Sequence, residues 1–151
     1  MRFAILLLAP CLLLLTGCSR NDQMSIDEEK ILRFLENNML DAERTESGLY
    51  YIIDQAGTGN SYPDKNSFVK VKYTGSLLDG TIFDQTAEGN LPEFQLTNVI
   101  LGWQEGIPLF QKGGKGTLII PSQLGYGSMS IGPIPANSVL VFDIELIDFR
   151  D

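Results

Sequence analysis

The stretch Ser67-Phe68-Val69-Lys70-Val71-Lys72-Tyr73-Thr74-Gly75-Ser76 alternates apolar and polar side chains almost residue by residue. A strand turns successive side chains to opposite faces, so Val69, Val71 and Tyr73 share one face while Lys70, Lys72 and Thr74 share the other. This is a half-buried strand, and it points the Tyr73 ring where the core valines point. Just downstream, Asp79-Gly80 between apolar flanks predicts a tight hairpin, with Thr81-Ile82-Phe83 as the returning strand. Near the C-terminus, Val139 to Phe149 has the same period, with Leu140, Phe142, Ile144 and Leu146 inward against Asp143 and Glu145 outward. Shorter runs at Leu49 to Ile53, Phe94 to Leu96 and Thr117 to Ile120 read as further strands, stopped by Gly57 and Gly59 or by Pro121. Between them, Asn98 to Ile107 reads as a short helix with Asn98 as its cap and Pro108 past its end. Gly125 to Asn137 is a loop. Strands grouped around one short helix describe an α+β domain, expected over residues 47–151.

The residues before it read differently. Met1 to Cys18 opens with Arg2, continues as an apolar run from Phe3 to Leu15, and ends in small residues. That run is shorter than the ~20 residues a membrane-spanning helix needs, and its layout is that of a secretory signal. Residues 1–17 are therefore expected to be a leader. Leu15-Thr16-Gly17-Cys18 resembles a bacterial lipobox, which implies cleavage before Cys18 and acylation of that residue. Residues 18–46 are expected to hold a polar tether from Ser19 and then a helix from about Ile26 to Met39. Ser25 and Glu28 form a capping-box pattern, and Asp27, Glu28 and Glu29 lie at the positive end of the helix dipole. Its apolar stripe could dock on the domain or on another chain, and the helix reads as a spacer in preference to a dimerisation arm. No oligomeric state follows from the sequence.

Composition removes whole classes of chemistry. The 151 residues include no His, so there is no Ser-His-Asp triad, no Cys-His pair and no imidazole-bound zinc. The formal net charge of −8 argues against nucleic-acid binding, which needs clustered cations to neutralise phosphates. Cys11 would leave with the leader and Cys18 would carry lipid, so no thiol remains for a disulfide, a metal or a nucleophile. Gly113-Gly114-Lys115-Gly116 lacks the spacing and the Ser/Thr of a P-loop, and Ser130 stands where a dinucleotide fingerprint starting at Gly125 needs glycine. Asp84, Glu88 and Glu93 could supply a carboxylate pair for sugar hydrolysis, but acidic loops are more often simply solvated. No metal or cofactor is expected.

Several segments, in order, carry a resemblance. They are Val71-Lys72-Tyr73-Thr74-Gly75, Leu78-Asp79-Gly80-Thr81-Ile82-Phe83-Asp84, and Val99-Ile100-Leu101-Gly102-Trp103-Gln104-Glu105-Gly106. Ile119-Ile120-Pro121, Leu124-Gly125-Tyr126-Gly127, Ile134-Pro135-Ala136-Asn137-Ser138 and Leu140 to Leu146 follow. Together they resemble the FKBP-type peptidyl-prolyl cis-trans isomerases, in particular the lipid-anchored members of bacterial cell envelopes.

The resemblance implies a bent antiparallel β-sheet curled around one short helix, with an aromatic pocket between them. It assigns catalysis to Tyr73, Phe83, Asp84, Tyr126 and Phe142, and substrate binding to Val99, Ile100, Trp103 and Ile134. Trp103 would be the floor, Ile100 would offer a backbone N–H, Tyr126 its hydroxyl, and Asp84 would lie near the carbonyl before proline. The implied partners are proline-containing polypeptides, macrolide inhibitors, and a lipid membrane through Cys18. A non-catalytic chaperone module using the same groove is the alternative. Relative to the family pattern, Gln85 to Pro92 is short and lacks the arginine that often pairs with the pocket acid. Glu93 stands where an aromatic usually precedes the Phe-x-Leu strand, which leaves the part played by Phe94 open.

Overall fold

A computed structural model describes residues 19–151 of the chain. The expected leader and Cys18 lie outside the described residues. Helix α1 (Ser19–Asn38) is followed by strands β1 (Glu43–Arg44), β2 (Tyr50–Gln55), β3 (Phe68–Leu77), β4 (Ile82–Gln85) and β5 (Glu93–Gln95). Helix α2 (Leu101–Gly106) and strands β6 (Lys115–Ile120) and β7 (Leu140–Arg150) complete the order. The sheet runs β1-β2-β6-β7-β3-β4, with β5 paired to β3, and every pairing is antiparallel.

The alternation read at Val69, Val71 and Tyr73 sets the main face of this sheet. Val69, Val71, Leu118, Ile120, Leu140, Phe142, Ile144 and Leu146 pack in one core with Trp103 and Ile107. On β7 the inward series then steps from Leu146 to Phe149 instead of to Asp148. The β3–β7 register jumps between Lys70 and Val71, so one extra β7 residue is absorbed as a bulge and Phe149 returns to the core face. At the β3–β4 hairpin Gly80 takes φ 86°, and the Thr81 N–H donates to Asp79 Oδ1 at 2.9 Å. A positive φ there is what glycine supplies.

Helix α2 sits close on β6 because two glycines face it. A Cβ on Gly102 would lie 2.5 Å from the Ile120 side chain, and one on Gly106 would lie 2.5 Å from Leu118. One turn apart on the helix, these positions bring its backbone down onto the strand and hold Trp103 between helix and sheet. The helix starts at Leu101, not at Asn98 as expected. Asn98 ends a 3₁₀ turn, Leu96–Asn98, and its amide bonds Gln95 Oε1 at 3.3 Å. The β-branched Val99 and Ile100 are extended instead, at ψ 174° and 151°. The Ile100 carbonyl then opens α2 by accepting the N–H groups of Trp103 and Gln104.

The N-terminal helix departs most from expectation. It includes Ser19 to Met24, expected as tether, so Ser25 lies within it and does not cap it. Nor is it a free spacer. Ile31 and Leu35 pack on Tyr50, Ile119, Val139 and Val141, which form a second core on the opposite face of the sheet. Glu28 accepts both Arg44 Nε and Nη2 at 2.9 Å, and the Tyr50 hydroxyl at 2.8 Å. The helix ends in a Schellman turn, with Leu40 N–H on the Leu35 carbonyl and Met39 N–H on that of Glu36. Met39 takes the left-handed position at φ 53°, where glycine is usual. Among the described residues no helix is long and apolar enough to cross a membrane.

Candidate active site

The inward faces of β3, β4 and β7 and the start of α2 open onto one cavity of about 490 Å³. Every pocket residue anticipated from the sequence lines it: Tyr73, Phe83, Asp84, Val99, Ile100, Trp103, Tyr126, Ile134 and Phe142. The sheet brings them there by register. Tyr73 stands opposite Ile144, and Gly75 lies between Asp84 on one side and Phe142 on the other.

The rings meet edge to face. Trp103 lies 5.0 Å from Tyr73, 5.2 Å from Phe142 and 5.5 Å from Phe94, centroid to centroid, with interplanar angles of 80° to 87°. Phe83 meets Phe142 at 5.5 Å and 82°. The positive ring edges therefore point at negative faces, the arrangement that aromatic quadrupoles favour. Gly75 makes the Phe83–Phe142 contact possible. A Cβ there would lie 2.7 Å from Phe83 and 2.8 Å from Phe142. Trp103 is buried, and its indole N–H has no hydrogen-bond partner among the described residues.

Polar groups are few. The Tyr73 hydroxyl donates to Asp84 Oδ2 at 2.7 Å. Burial first, then the Asp84 carboxylate and Tyr126, hold the Tyr73 phenol far above its ordinary value, so it stays a hydrogen-bond donor. With the family's arginine lacking, the acid's partner is thus a phenol. The cavity is also lined by Phe94, whose part the sequence leaves open, and by Asn98, Ile131, Gly132 and Pro133, which the sequence reading does not single out. Phe94 forms part of the cavity wall, and its T-shaped contact to Trp103 follows from β5 pairing Phe94 with Val69. Glu93 instead faces Arg150, whose Nη2 lies 3.0 Å away and whose guanidinium stacks 4.1 Å over Phe68. Of the three acids weighed for sugar hydrolysis, Asp84 lines the cavity and Glu88 and Glu93 do not. Among the described residues no three Cys, Asp or Glu side chains gather where a metal ion could be held.

The family model of FKBP-type peptidyl-prolyl cis-trans isomerases matches residues 59–147. The chain is 44% identical over 133 residues to an FKBP-type isomerase, FkpA, of Buchnera aphidicola from Schizaphis graminum, covering 87% of this chain and 53% of that protein. It is 43% identical over 107 residues to FkpA of Escherichia coli K12, covering 70% and 39%. The chain thus spans about half the length, or less, of these curated relatives. The crystal structure of Escherichia coli FkpA superposes with a TM-score of 0.74 at 37% identity, over 86% of this chain and 62% of that one. A peptidyl-prolyl isomerase of Pseudomonas syringae superposes at 0.72 and 31% identity, over 90% and 99%. With the ring-lined cavity, the family match and these superpositions in agreement, the chain belongs to the FKBP-type peptidyl-prolyl cis-trans isomerases.

Proposed function

We propose that residues 47–151 accelerate rotation about Xaa-Pro bonds in polypeptides, using the aromatic cavity as the active site. Amide resonance sets a barrier of ~20 kcal/mol to this rotation, so it takes tens to hundreds of seconds unaided. No bond is made or broken, and a chain without His needs no proton carrier. The planar amide separates charge between oxygen and nitrogen, whereas the twisted amide has lost that resonance. An apolar, ring-lined cleft solvates the planar form less well than water does, and so favours the twisted one. Lowering the barrier by ~5.5 kcal/mol gives about 10⁴-fold acceleration.

Trp103 serves as floor for the proline ring, with Val99 and Ile134 beside it. The Ile100 N–H and the Tyr126 hydroxyl bind the substrate backbone. Phe83, Phe142 and Tyr73 wall the swinging carbonyl, and Asp84 acts electrostatically and by orienting Tyr73. The observation that carries this reading is the box of T-shaped rings around Trp103, with the cavity open above it. Macrolides that mimic a twisted prolyl amide belong to the same cleft.

The lipobox-like stretch Leu15-Thr16-Gly17-Cys18 supports attachment to the bacterial cell envelope through acylated Cys18. Several acyl chains anchor stably where one does not. In that place the domain assists the folding of envelope proteins. Refolding of a protein limited by proline isomerisation tests the activity beside its non-catalytic rival. The isomerase speeds the slow phase at substoichiometric amounts. A passive holdase leaves that phase unchanged while suppressing aggregation of a proline-free client.

A further inference from the structure

Asp27 is a charged side chain only 1% exposed, on the helix that the pocket does not touch. Its Oδ2 accepts two hydrogen bonds from Ser122, the backbone N–H at 2.9 Å and the hydroxyl at 2.6 Å. Its Oδ1 accepts Gln23 Nε2 at 2.7 Å, with Lys30 Nζ at 3.9 Å. Ser122 opens a one-turn 3₁₀ helix, Ser122–Leu124, whose preceding residue is Pro121. Proline brings no side-chain acceptor, so the end of this turn is capped from another element, by Asp27.

The other end of Ser122 faces the site. Its carbonyl accepts the N–H of Gly125 at 3.0 Å and that of Gly127 at 2.8 Å. Those are the two residues that flank Tyr126, which lines the cavity. Gly127 takes φ 58°, a conformation glycine holds without penalty, and its carbonyl accepts the Asn137 N–H at 2.8 Å. Glycines alone leave this loop soft. What restrains it on the near side is Ser122, and what restrains Ser122 is a carboxylate on α1. That helix is itself fixed by Ile31 and Leu35 in the second core.

We propose that Asp27 is a positioning residue for the active site: through Ser122 it sets the backbone of Gly125 to Gly127 and so the place of the Tyr126 ring. Helix α1 is then part of the scaffold of the pocket. The proposal rests on the isomerase reading for its effect on rate, but not for its effect on the loop. Without the carboxylate, the Ser122 N–H and hydroxyl are buried with no acceptor, and the turn shifts to find one.

The test compares Asp27→Ala, Asp27→Asn and Ser122→Ala with Glu28→Ala in the full chain. Glu28→Ala cuts the neighbouring clamp of the same helix without touching Ser122. Isomerisation of an Xaa-Pro peptide gives kcat and KM, and backbone amide NMR signals report Gly125 and Gly127. Asp27→Ala is expected to lower kcat/KM by about tenfold, the scale of a lost hydrogen bond to a charged group. It also shifts both glycine amides. Asp27→Asn, which keeps an acceptor, restores most of the rate. Glu28→Ala stays within about twofold of wild type, because a stability change alone leaves the folded site intact. Ser122→Ala removes only the hydroxyl and shifts the same amides less, and it decides the matter if Asp27→Ala does not fold. Unmoved Gly125 and Gly127 amides in folded variants overturn the proposal, as does an equal loss of rate in Glu28→Ala. A wild-type chain with no isomerase activity defeats the functional reading instead, and the amide shifts still decide the positioning claim.

Discussion

Tyr73 and Asp84 are joined across the β3–β4 hairpin by a 2.7 Å hydrogen bond in which the phenol is the donor. Each orients the other at the cavity wall, so their contributions are coupled. Asp84→Ala and Tyr73→Phe are each expected to lower kcat/KM by about three- to tenfold with the fold intact, as for loss of one hydrogen bond at an exposed site. The double variant should lose little more than either single one. Additive losses in this double-mutant cycle would show that the pair does not act as a unit.

The same phenol bears on pH. Its proton is held above the ordinary tyrosine value of 10, chiefly by burial and then by Asp84. A raised pKa in the fold means that the associated stability is complete below the unfolded value and is lost as pH rises through the folded one. Stability should therefore be unaffected by Tyr73 up to about pH 10 and fall above it. With no His in the chain, kcat/KM should form a plateau from about pH 6 to 9. A bell-shaped profile in that window, in a pH–rate series, would demand a proton-transfer group that the account does not contain.

Gly75 sits where the Phe83 and Phe142 rings meet. Gly75→Ala forces a methyl group into both, and overpacking of this kind costs about 1–3 kcal/mol. The expected variant folds with a lower Tm and loses isomerase activity by about tenfold or more, as misplaced walls stop stabilising the transition state. Thermal unfolding and the peptide assay check the two effects separately.

Helix α1 should loosen in acid. The Arg44 guanidinium, with the Tyr50 hydroxyl, holds the Glu28 carboxyl below its ordinary 4.5. A depressed folded pKa gives stability that is present above the unfolded value and lost as pH falls through the folded one. Both partners are more than a third exposed, so solvent screening limits the effect to under about 1 kcal/mol. Glu28→Gln should remove that part of the stability at pH 7 and leave the Gln variant and wild type alike in acid. Urea midpoints at the two pH values measure it.

Met39 pays for the Schellman turn with a left-handed backbone, 94% exposed and with φ 53°. Met39→Gly should raise stability by about 0.5–1 kcal/mol, since relief of left-handed strain exceeds the entropy glycine loses on folding. An unchanged or lower Tm would contradict this.

The sheet and the ring wall were legible because each rests on a period of two carried by one strand. Val71 and Tyr73, or Leu140 and Phe142, share a face whatever the rest of the chain does. The apolar stripe of α1 was legible, but the surface it docks on was not. Its partners Tyr50, Ile119 and Val141 occupy outward positions on three strands, and each looks like an ordinary exposed apolar residue until β2, β6 and β7 lie side by side. Asp27 was hidden for a related reason: an acid beside a presumed helix start reads as a dipole partner, and its bond to Ser122 joins residues far apart in sequence. Phe94 needed the β5–β3 register: with Glu93 at the position where an aromatic is usual, only the pairing with Val69 shows that Phe94 turns inward.

The most direct test of the central claim is the cis–trans exchange rate of an Xaa-Pro peptide, read by NMR with catalytic amounts of the folded chain and of Phe142→Ala. The account predicts rapid exchange with the wild-type chain and a loss of about 100-fold or more when the ring is removed from the cleft. Exchange at the uncatalysed rate in the presence of folded wild-type chain, or equal acceleration by Phe142→Ala, would contradict it.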